Sequence, residues 1–327
     1  TSLFAINPSN GEIYASDNQK GIRKLGAKTG LVSTVITGTT SILPANGALP
    51  ANPALPAGNF NNLVFDSKGR LYVGVVQSGG LAVIIYQIDF TNSWVRQYAG
   101  GGLGDDGGTA ATSLQISPGG SFDEQDSLYT WTYCGGVAVT STTGQTVGKR
   151  IIKIAQNSDG SPGTTTRIIG DCTLANPASG NTAYSQPASI TPYPSLSSIV
   201  PWENGNKIVV IPYSSGARYK IINGTVYSSN ISAPVGPVGT GIYNPSDGLI
   251  YRTTGSTIEK IAINTAGANG DTATTVFNYN STVSGCSADG TATTAYCGLI
   301  GTQPQFRSGI LYFADGAQIN SVSDFAV

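Results

Sequence analysis

The sequence predicts an all-β fold, a six-bladed β-propeller built from four-stranded antiparallel blades. Three observations predict it. A short apolar strand, usually carrying a tyrosine, recurs six times along the 327 residues. Each copy follows a tight turn rich in Gly, Asp, Asn, Pro and Ser. No segment shows sustained helical periodicity between helix caps, so we expect little helix.

Each copy of the apolar strand is followed by a strand rich in Ile, as where RIIKIA (150–155) follows LYTWTY (128–133). A strand-like stretch precedes each copy and another often follows it, which gives four strands per unit. The copies lie on the order of 40–80 residues apart, which suits propeller blades with insertions better than a solenoid. A β-sandwich would explain the short strands but not their repeated alignment. The aligned positions are Tyr14, Tyr72, Tyr129, Val209, Tyr251 and Tyr312.

We predict a single domain over residues 1–327. A radial repeat permits a domain of this length because each unit carries its own small core. The aligned strand should be the second strand of its blade. The predicted blades span approximately 1–40, 58–102, 112–173, 195–233, 238–283 and 302–327.

Composition excludes several classes of function. Charged residues make up 11% of the chain and the net charge is −1, whereas soluble domains average about 25% charged residues. The absence of a basic run argues against a nucleic-acid partner. No apolar run reaches the roughly 18 residues of a membrane span. The chain has no histidine, which excludes Ser-His-Asp and Cys-His catalysis and histidine metal ligands.

Cysteines and glycosylation sequons favour a secreted, extracellular protein. An even number of cysteines without Cys-x-x-Cys spacing indicates two disulfides and an oxidising compartment. The cysteines are Cys134, Cys172, Cys286 and Cys297. Asn-x-Ser/Thr sequons, which are acceptors for N-glycosylation, occur at Asn223, Asn230 and Asn280.

Two copies, IYASDNQKGIRKL (13–25) and LYFADGAQINSV (311–322), share Leu/Ile-Tyr-x-x-Asp before an Ile-containing strand. The segment YAGGGLGDDGGTAATSLQIS (98–117) is similar to a Gly-Asp-Gly-Gly-x-Ala linker between blades. The chain thus resembles the NHL-repeat family of β-propellers. The fourth copy departs from the pattern, because it lacks both the Tyr and the Asp. The resemblance implies a structural role for four residues: Tyr14, Asp17, Tyr312 and Asp315.

Loop length distinguishes the two faces of the predicted blades. Turns joining first to second and third to fourth strands are short. The connections on the opposite face are long, at 38–60, 99–112, 134–149, 171–195 and 282–303. Insertions gathered on one face of a rigid scaffold usually form a binding surface. Tyrosines in or beside these loops could stack against sugars or protein partners; they are Tyr133, Tyr184, Tyr193, Tyr213 and Tyr296.

The sequence gives little support for metal or cofactor chemistry. Asp105 and Asp106, in GGGLGDDGG (100–108), are candidates for a calcium ion. That segment lacks the ending of a P-loop and the ligand pattern of an EF-hand. The chain has only four Glu, and none begins a first strand, where a lactonase-like propeller would need a metal ligand. We expect no cofactor and no catalytic residue.

The leading interpretation is a non-enzymatic binding module that recognises an extracellular glycan or protein through the long-loop face. Two alternatives stay open. Low charge would also suit a self-associating structural subunit of an extracellular layer or filament. A metal-dependent, lactonase-like hydrolase is the other alternative, because such a propeller activates water without histidine.

We predict that Cys134 pairs with Cys172 and Cys286 with Cys297, since the first two end strands that point to the same face of the third blade. Peptide mapping without reduction should recover both linked pairs. Removing the first bridge should lower the free energy of unfolding by about 2–4 kcal/mol, because the unfolded chain gains entropy. A free thiol or a crossed pairing would contradict this assignment.

Overall fold

The computed structural model describes residues 3–17, 21–26, 29–39, 43–56, 60–76, 83–104, 107–116, 120–133, 149–170, 185–187, 198–211, 218–229, 241–253, 257–266, 270–278, 304–307, 310–315 and 318–322. The chain forms two compact units. The N-terminal unit comprises Leu3–Pro177 and Ala188–Ser195, and the C-terminal unit comprises Thr1–Ser2, Ala178–Pro187 and Leu196–Val327.

The N-terminal unit contains three sheets, which we call blades 1 to 3. Blade 1 has the order β1–β2–β3–β4–β6, with β1 Phe4–Ile6, β2 Ile13–Asp17, β3 Gly21–Leu25, β4 Val32–Thr39 and β6 Ala54–Pro56. Blade 2 has the order β5–β10–β9–β8–β7, with β5 Asn46–Ala48, β7 Phe60–Phe65, β8 Leu71–Val76, β9 Val83–Asp89 and β10 Trp94–Gly100. Blade 3 has the order β11–β12–β13–β14, with β11 Ser121–Phe122, β12 Leu128–Tyr133, β13 Lys149–Gln156 and β14 Pro162–Ile169.

The C-terminal unit contains blades 4 and 5 and a three-stranded sheet. Blade 4 has the order β15–β19–β18–β17–β16, with β15 Ser185–Pro187, β16 Ser198–Trp202, β17 Lys207–Ile211, β18 Arg218–Ile222 and β19 Thr225–Ser229. Blade 5 has the order β20–β21–β22–β23, with β20 Gly241–Asn244, β21 Leu249–Thr253, β22 Thr257–Ala262 and β23 Thr272–Asn278. The last sheet contains β24 Gln305–Arg307, β25 Ile310–Asp315 and β26 Gln318–Val322.

These sheets establish an all-β fold with the strand order of β-propeller blades, in which sequential strands pair antiparallel. Among the described residues, five sheets have four or five strands and one has three. The predicted count of six four-stranded blades is therefore wrong, because five sheets within the described residues have the four or more strands of a complete blade. The repeat identifies only the second strand of each unit, so it cannot distinguish a complete blade from a shorter sheet. The expected last strand, at 324–327, lies outside the described residues.

Three strands come from segments that the sequence analysis treated as loops. In the 38–60 connection, β5 pairs with β10 and β6 pairs parallel to β4. In the 171–195 connection, β15 pairs with β19. Each added strand covers the outer edge of its blade, which would otherwise present unpaired backbone groups.

Apolar side chains pack successive blades of a unit against each other. Because side chains alternate between the faces of a strand, Val73 of β8 packs toward blade 1 whereas Tyr72 packs toward blade 3. In the C-terminal unit, Ile250 of β21 belongs to the cluster shared with blade 4 and Tyr251 to the cluster shared with the last sheet. Blades 2 and 5 therefore each bury both of their faces.

The tyrosine of the repeat has its own polar partner in four blades. Its hydroxyl hydrogen-bonds a carboxylate from the turn that precedes the second strand, an arrangement we call the tyrosine clasp. The oxygen–oxygen distances are 3.3 Å for Tyr14–Glu12, 3.1 Å for Tyr72–Asp66, 3.2 Å for Tyr129–Asp123 and 2.6 Å for Tyr251–Asp247.

The third strand completes the clasp in blades 1 and 3. Lys24 stands opposite Tyr14 in the register, and its Nζ lies 2.9 Å from Oε1 of Glu12. Lys153 stands opposite Tyr129, and its Nζ lies 3.2 Å from Oδ2 of Asp123. The lysine of the Ile-rich strand thus pairs with the turn carboxylate of its own blade.

The resemblance implies a structural role for Asp17 without naming its partner. Residues two apart on a strand share a face, whereas residues three apart point to opposite faces. The hydroxyl of Tyr14 therefore bonds Glu12, and Asp17 lies 4.0 Å from Nη1 of Arg23. The side chain of Asp315 lies outside the described residues.

We predict that Tyr72→Phe destabilises the chain more than Tyr251→Phe. The buried hydroxyl of Tyr72 contacts Asp66, Gln87 and Gln156. Its loss should cost about 1–3 kcal/mol, because buried amide donors are left without an acceptor. Tyr251→Phe removes one bond to the exposed Asp247 and should cost about 0.5–1.5 kcal/mol. Urea unfolding monitored by circular dichroism tests the order, and equal losses would contradict it.

Candidate functional site

The residues predicted to bind a partner are mostly beyond what the structure describes. Tyr133 ends β12 and only its backbone is described. Asn223 is exposed in the turn between β18 and β19, with φ of +48°. The following predicted residues lie outside the described residues: Tyr184, Tyr193, Tyr213, Tyr296, Cys134, Cys172, Cys286, Cys297, Asp105, Asp106, Asn230 and Asn280.

Neither a metal centre nor a membrane span emerges from the described ranges. Within them, no three Cys, Asp or Glu side chains come together. No helix there has the length and apolar character needed to cross a membrane. The described residues therefore provide no ligand set for a metal-dependent hydrolase.

A groove of about 640 Å³ lies in the N-terminal unit at the outer edge of blade 2. Strands β5 and β10 form one side of it. The turn between β13 and β14 and the 3₁₀ turn Ala111–Ser113 complete the lining. The groove is lined by Ala45, Asn46, Trp94, Arg96, Gln97, Thr112, Asp159, Ser161 and Pro162.

Trp94 and Arg96 share one face of β10, because they are two residues apart on a strand. The guanidinium carbon of Arg96 lies 3.8 Å from the centre of the Trp94 ring, which is a cation–π contact. The Arg96 side chain is 16% exposed, and its Nη1 lies 4.0 Å from Oδ2 of Asp159. Its buried Nε has no hydrogen-bond partner among the described residues. Arg96 is thus held by stacking rather than by a direct hydrogen bond to the carboxylate.

Burial lowers the pKa of the Arg96 guanidinium, and the charge of Asp159 opposes this effect. An arginine starts from a pKa above 12, so Arg96 is expected to stay cationic at neutral pH. The groove therefore presents a fixed positive charge on an aromatic surface.

Asp159 is held by its own turn. Its Oδ1 accepts hydrogen bonds from the backbone nitrogen and the Oγ of Ser161, at 2.9 and 2.6 Å. These bonds, the side-chain bond first, lower the pKa of the Asp159 carboxyl, and the charge of Arg96 adds to the effect. Asp159 is consequently ionised at neutral pH, with Oδ1 bound locally and Oδ2 on the side of Arg96.

The groove combines four kinds of group that can act on a small polar molecule. Arg96 can donate to a carbonyl or carboxylate oxygen, and Asp159 can accept a proton. Trp94 provides apolar surface. Asn46 adds an exposed amide at the rim. Such a site can bind an oxygen-rich ring and activate water beside it.

The sequence analysis singled out none of these lining residues. Trp94 and Arg96 belonged to an ordinary fourth strand, and Asp159 to a short turn. The sequence signal that could have indicated the site is the spacing of Trp94 and Arg96, which are two residues apart and so share one face of a strand. Nothing in the sequence placed Asn46 or Asp159 beside them, since β5 and blade 3 bring these residues in from far along the chain.

Comparison with known proteins gives structural likeness only. No protein-family model and no curated protein matches the chain. A catalytically inactive virginiamycin B lyase from Staphylococcus aureus, with quinupristin, is 12% identical, with a TM-score of 0.48, over 100% of this chain and 83% of its own. A calcium-binding protein, regucalcin, from Agrobacterium tumefaciens is 10% identical, with a TM-score of 0.47, over 97% and 83%. A putative oxidoreductase (glucose dehydrogenase) from Thermus thermophilus is 13% identical, with a TM-score of 0.48, over 95% and 89%.

The expectation of a non-enzymatic binding module is corrected by this comparison. The solved structures similar to this chain include a lyase and a putative oxidoreductase. At identities of 10–14%, the activities of these proteins are not assigned to this chain.

We predict that Ser161→Ala raises the pKa of the Asp159 carboxyl toward the ordinary value of about 3.9. The substitution removes a hydrogen bond that stabilises the ionised form, so protonation should occur at a higher pH than in the unchanged chain. Carboxyl ¹³C NMR across an acid titration measures it, with Asp159→Asn identifying the resonance. An unchanged titration midpoint in Ser161→Ala would contradict the assignment.

Proposed function

We propose that the chain is a lactonase-like hydrolase whose active site is the groove of Trp94, Arg96 and Asp159. One observation carries the proposal. A cationic guanidinium and an ionised carboxylate face each other at 4.0 Å in an open groove. The gap between them leaves donors and an acceptor available to a substrate and a water molecule.

Hydrolysis of a cyclic ester requires a base for water and a donor for the oxyanion. Oδ2 of Asp159 accepts a proton as the water oxygen attacks the carbonyl carbon. The guanidinium of Arg96 stabilises the negative charge that develops on the carbonyl oxygen. The ring carbon–oxygen bond then breaks and the proton passes from Asp159 to the leaving alkoxide. The product is a hydroxy acid, whose carboxylate lies beside Arg96.

The low pKa of Asp159 restricts the substrate. It keeps the carboxylate ionised, but general-base catalysis weakens as the pKa of the base falls below the working pH. Reactive cyclic esters suit a weak base better than amides do. Trp94 offers an apolar surface for the ring, and the amides of Asn46 and Gln97 line the same groove.

Secretion and the NHL-like character of the repeats are also proposals. The paired cysteine count and the sequons support an oxidising compartment. The recurring tyrosine, present in four clasps, supports the NHL-like repeat. The count of complete blades departs from the six expected of that family.

A panel of γ- and δ-lactones, followed by acid release at constant pH, tests the hydrolase proposal. Asp159→Asn keeps an oxygen for Ser161 and removes the base, so kcat should fall by about 10²–10⁴-fold. Arg96→Lys keeps the charge but loses the planar donors, and should lower kcat by about 10²–10³-fold. Glu203→Gln, which alters an exposed carboxylate paired with Lys207, is the matched control and should retain full activity.

The same assay can overturn the proposal. Absence of turnover of any lactone by the unchanged chain would do so, as would full activity of Asp159→Asn. Turnover that a chelator abolishes, and that Asp159→Asn leaves intact, would place the chemistry at a metal elsewhere in the chain.

A further inference from the structure

We infer that Gln87 and Arg70 of blade 2 are positioning residues for Asp159 of blade 3. The inference rests on the proposed function, because it assigns the placement of the proposed base. Neither residue lines the groove. Both lie against Gly160, in the turn that carries Asp159.

Gln87 ties the two blades together directly. It lies on β9, is fully buried, and its Nε2 donates to the carbonyl oxygen of Gly160 at 2.9 Å. Gly160 is the residue between Asp159 and Ser161. The bond therefore fixes the backbone at the centre of the turn that presents the carboxylate.

Arg70 contacts the segment that leads into the same turn, through the last residue of β13. Its Nε donates to Oδ2 of Asp66 at 2.7 Å, and its Nη2 donates to Oε1 of Gln156 at 2.5 Å. Gln156 ends β13, immediately before the turn. Arg70 is thus anchored to blade 2 and bonded to the strand from which the Asp159 turn departs.

Gly160 is required where the turn meets Arg70. Its φ is +83°, which favours glycine. A Cβ at this position would lie 1.6 Å from Nη1 of Arg70. The turn therefore rests on the guanidinium, and any side chain at this position would move the turn away.

Blade 4 makes a contact of the same kind, from its third strand to a turn of the next blade. Gln87 stands opposite Tyr72, and Lys220 stands opposite Val209 at the same point of the repeat. The Nζ of Lys220 donates at 2.6 Å to the carbonyl oxygen of Asn264, between β22 and β23 of blade 5. A lysine at this position can therefore donate to the corresponding turn of the next blade.

Gln87→Met tests the inference, since it fills similar space without the donor. The turn should shift, so kcat on lactones should fall at least about tenfold, since misplaced groups lose catalysis steeply. KM should change by less than about twofold, because the groove's binding surfaces remain. The pKa of Asp159 should rise as the carboxyl moves from Arg96. Gly160→Ala should reproduce the loss.

Tyr14→Phe is the matched control, because it removes a clasp hydroxyl in blade 1 and touches neither Gln87 nor the turn. It should lower stability without changing kcat or the pKa of Asp159. The inference is overturned if Gln87→Met or Gly160→Ala leaves kcat and the Asp159 pKa unchanged. If the unchanged chain hydrolyses no lactone, the proposed function fails, and the NMR titration still decides whether Gln87 positions Asp159.

Discussion

A tyrosine hydroxyl buried between packed blades has to keep a hydrogen-bond partner, and much of this fold is arranged around that need. The partner is a carboxylate on the turn before the strand, so the turn must return the chain within a few residues of the tyrosine. In blade 2 the Oδ1 of Asp66 also accepts hydrogen bonds from the backbone nitrogens of Lys68 and Arg70. One acidic side chain therefore closes the turn and anchors the tyrosine, which sets where the second strand begins.

The third-strand residue that stands opposite the repeat tyrosine has a different partner in different blades. In blades 1 and 3 a lysine completes the clasp within the blade. In blade 4 the tyrosine is replaced by Val209, which offers no hydroxyl. There the buried Lys220 instead pairs with Asp271 at 2.6 Å, in the adjoining blade of the same unit. A buried charge requires such a partner, and for Lys220 the next blade supplies it.

Much of this framework could be predicted from the sequence, because it depends on local chemistry. The recurring tyrosine, the glycine-rich turns and the Ile-rich strand all follow the alternation of a strand, and the aligned positions lie on second strands. The carboxylate partner of Tyr14 was not predicted, because it is Glu12 of the preceding turn, outside the recurring Tyr-x-x-Asp pattern. Strands β5, β6 and β15 were missed, because short polar segments show no apolar alternation and pair only once a blade edge exists.

The groove could not be predicted, because it depends on which of the few charged residues form ion pairs in the folded chain. The chain has 17 basic and 18 acidic residues, and Asp66, Asp123 and Asp271 are buried in direct ion pairs. In two other ion pairs among the described residues, the nitrogen and oxygen are 4.0 Å apart. Arg23 and Asp17 form one of them, with both side chains about one third exposed, at 29% and 36%.

Arg96 and Asp159 are different, because one is mostly buried on an aromatic ring and the other is restrained by Ser161. A cation and an anion held apart in a groove keep the capacity to bind that an ion pair in contact loses. The stacking of the cation on Trp94, opposite a carboxylate held by its own turn, distinguishes the groove from the Arg23–Asp17 pair. The groove takes Ala45, Asn46 and Thr112 from the long connections 38–60 and 99–112 but Asp159 and Ser161 from a short turn, so loop length alone could not locate it.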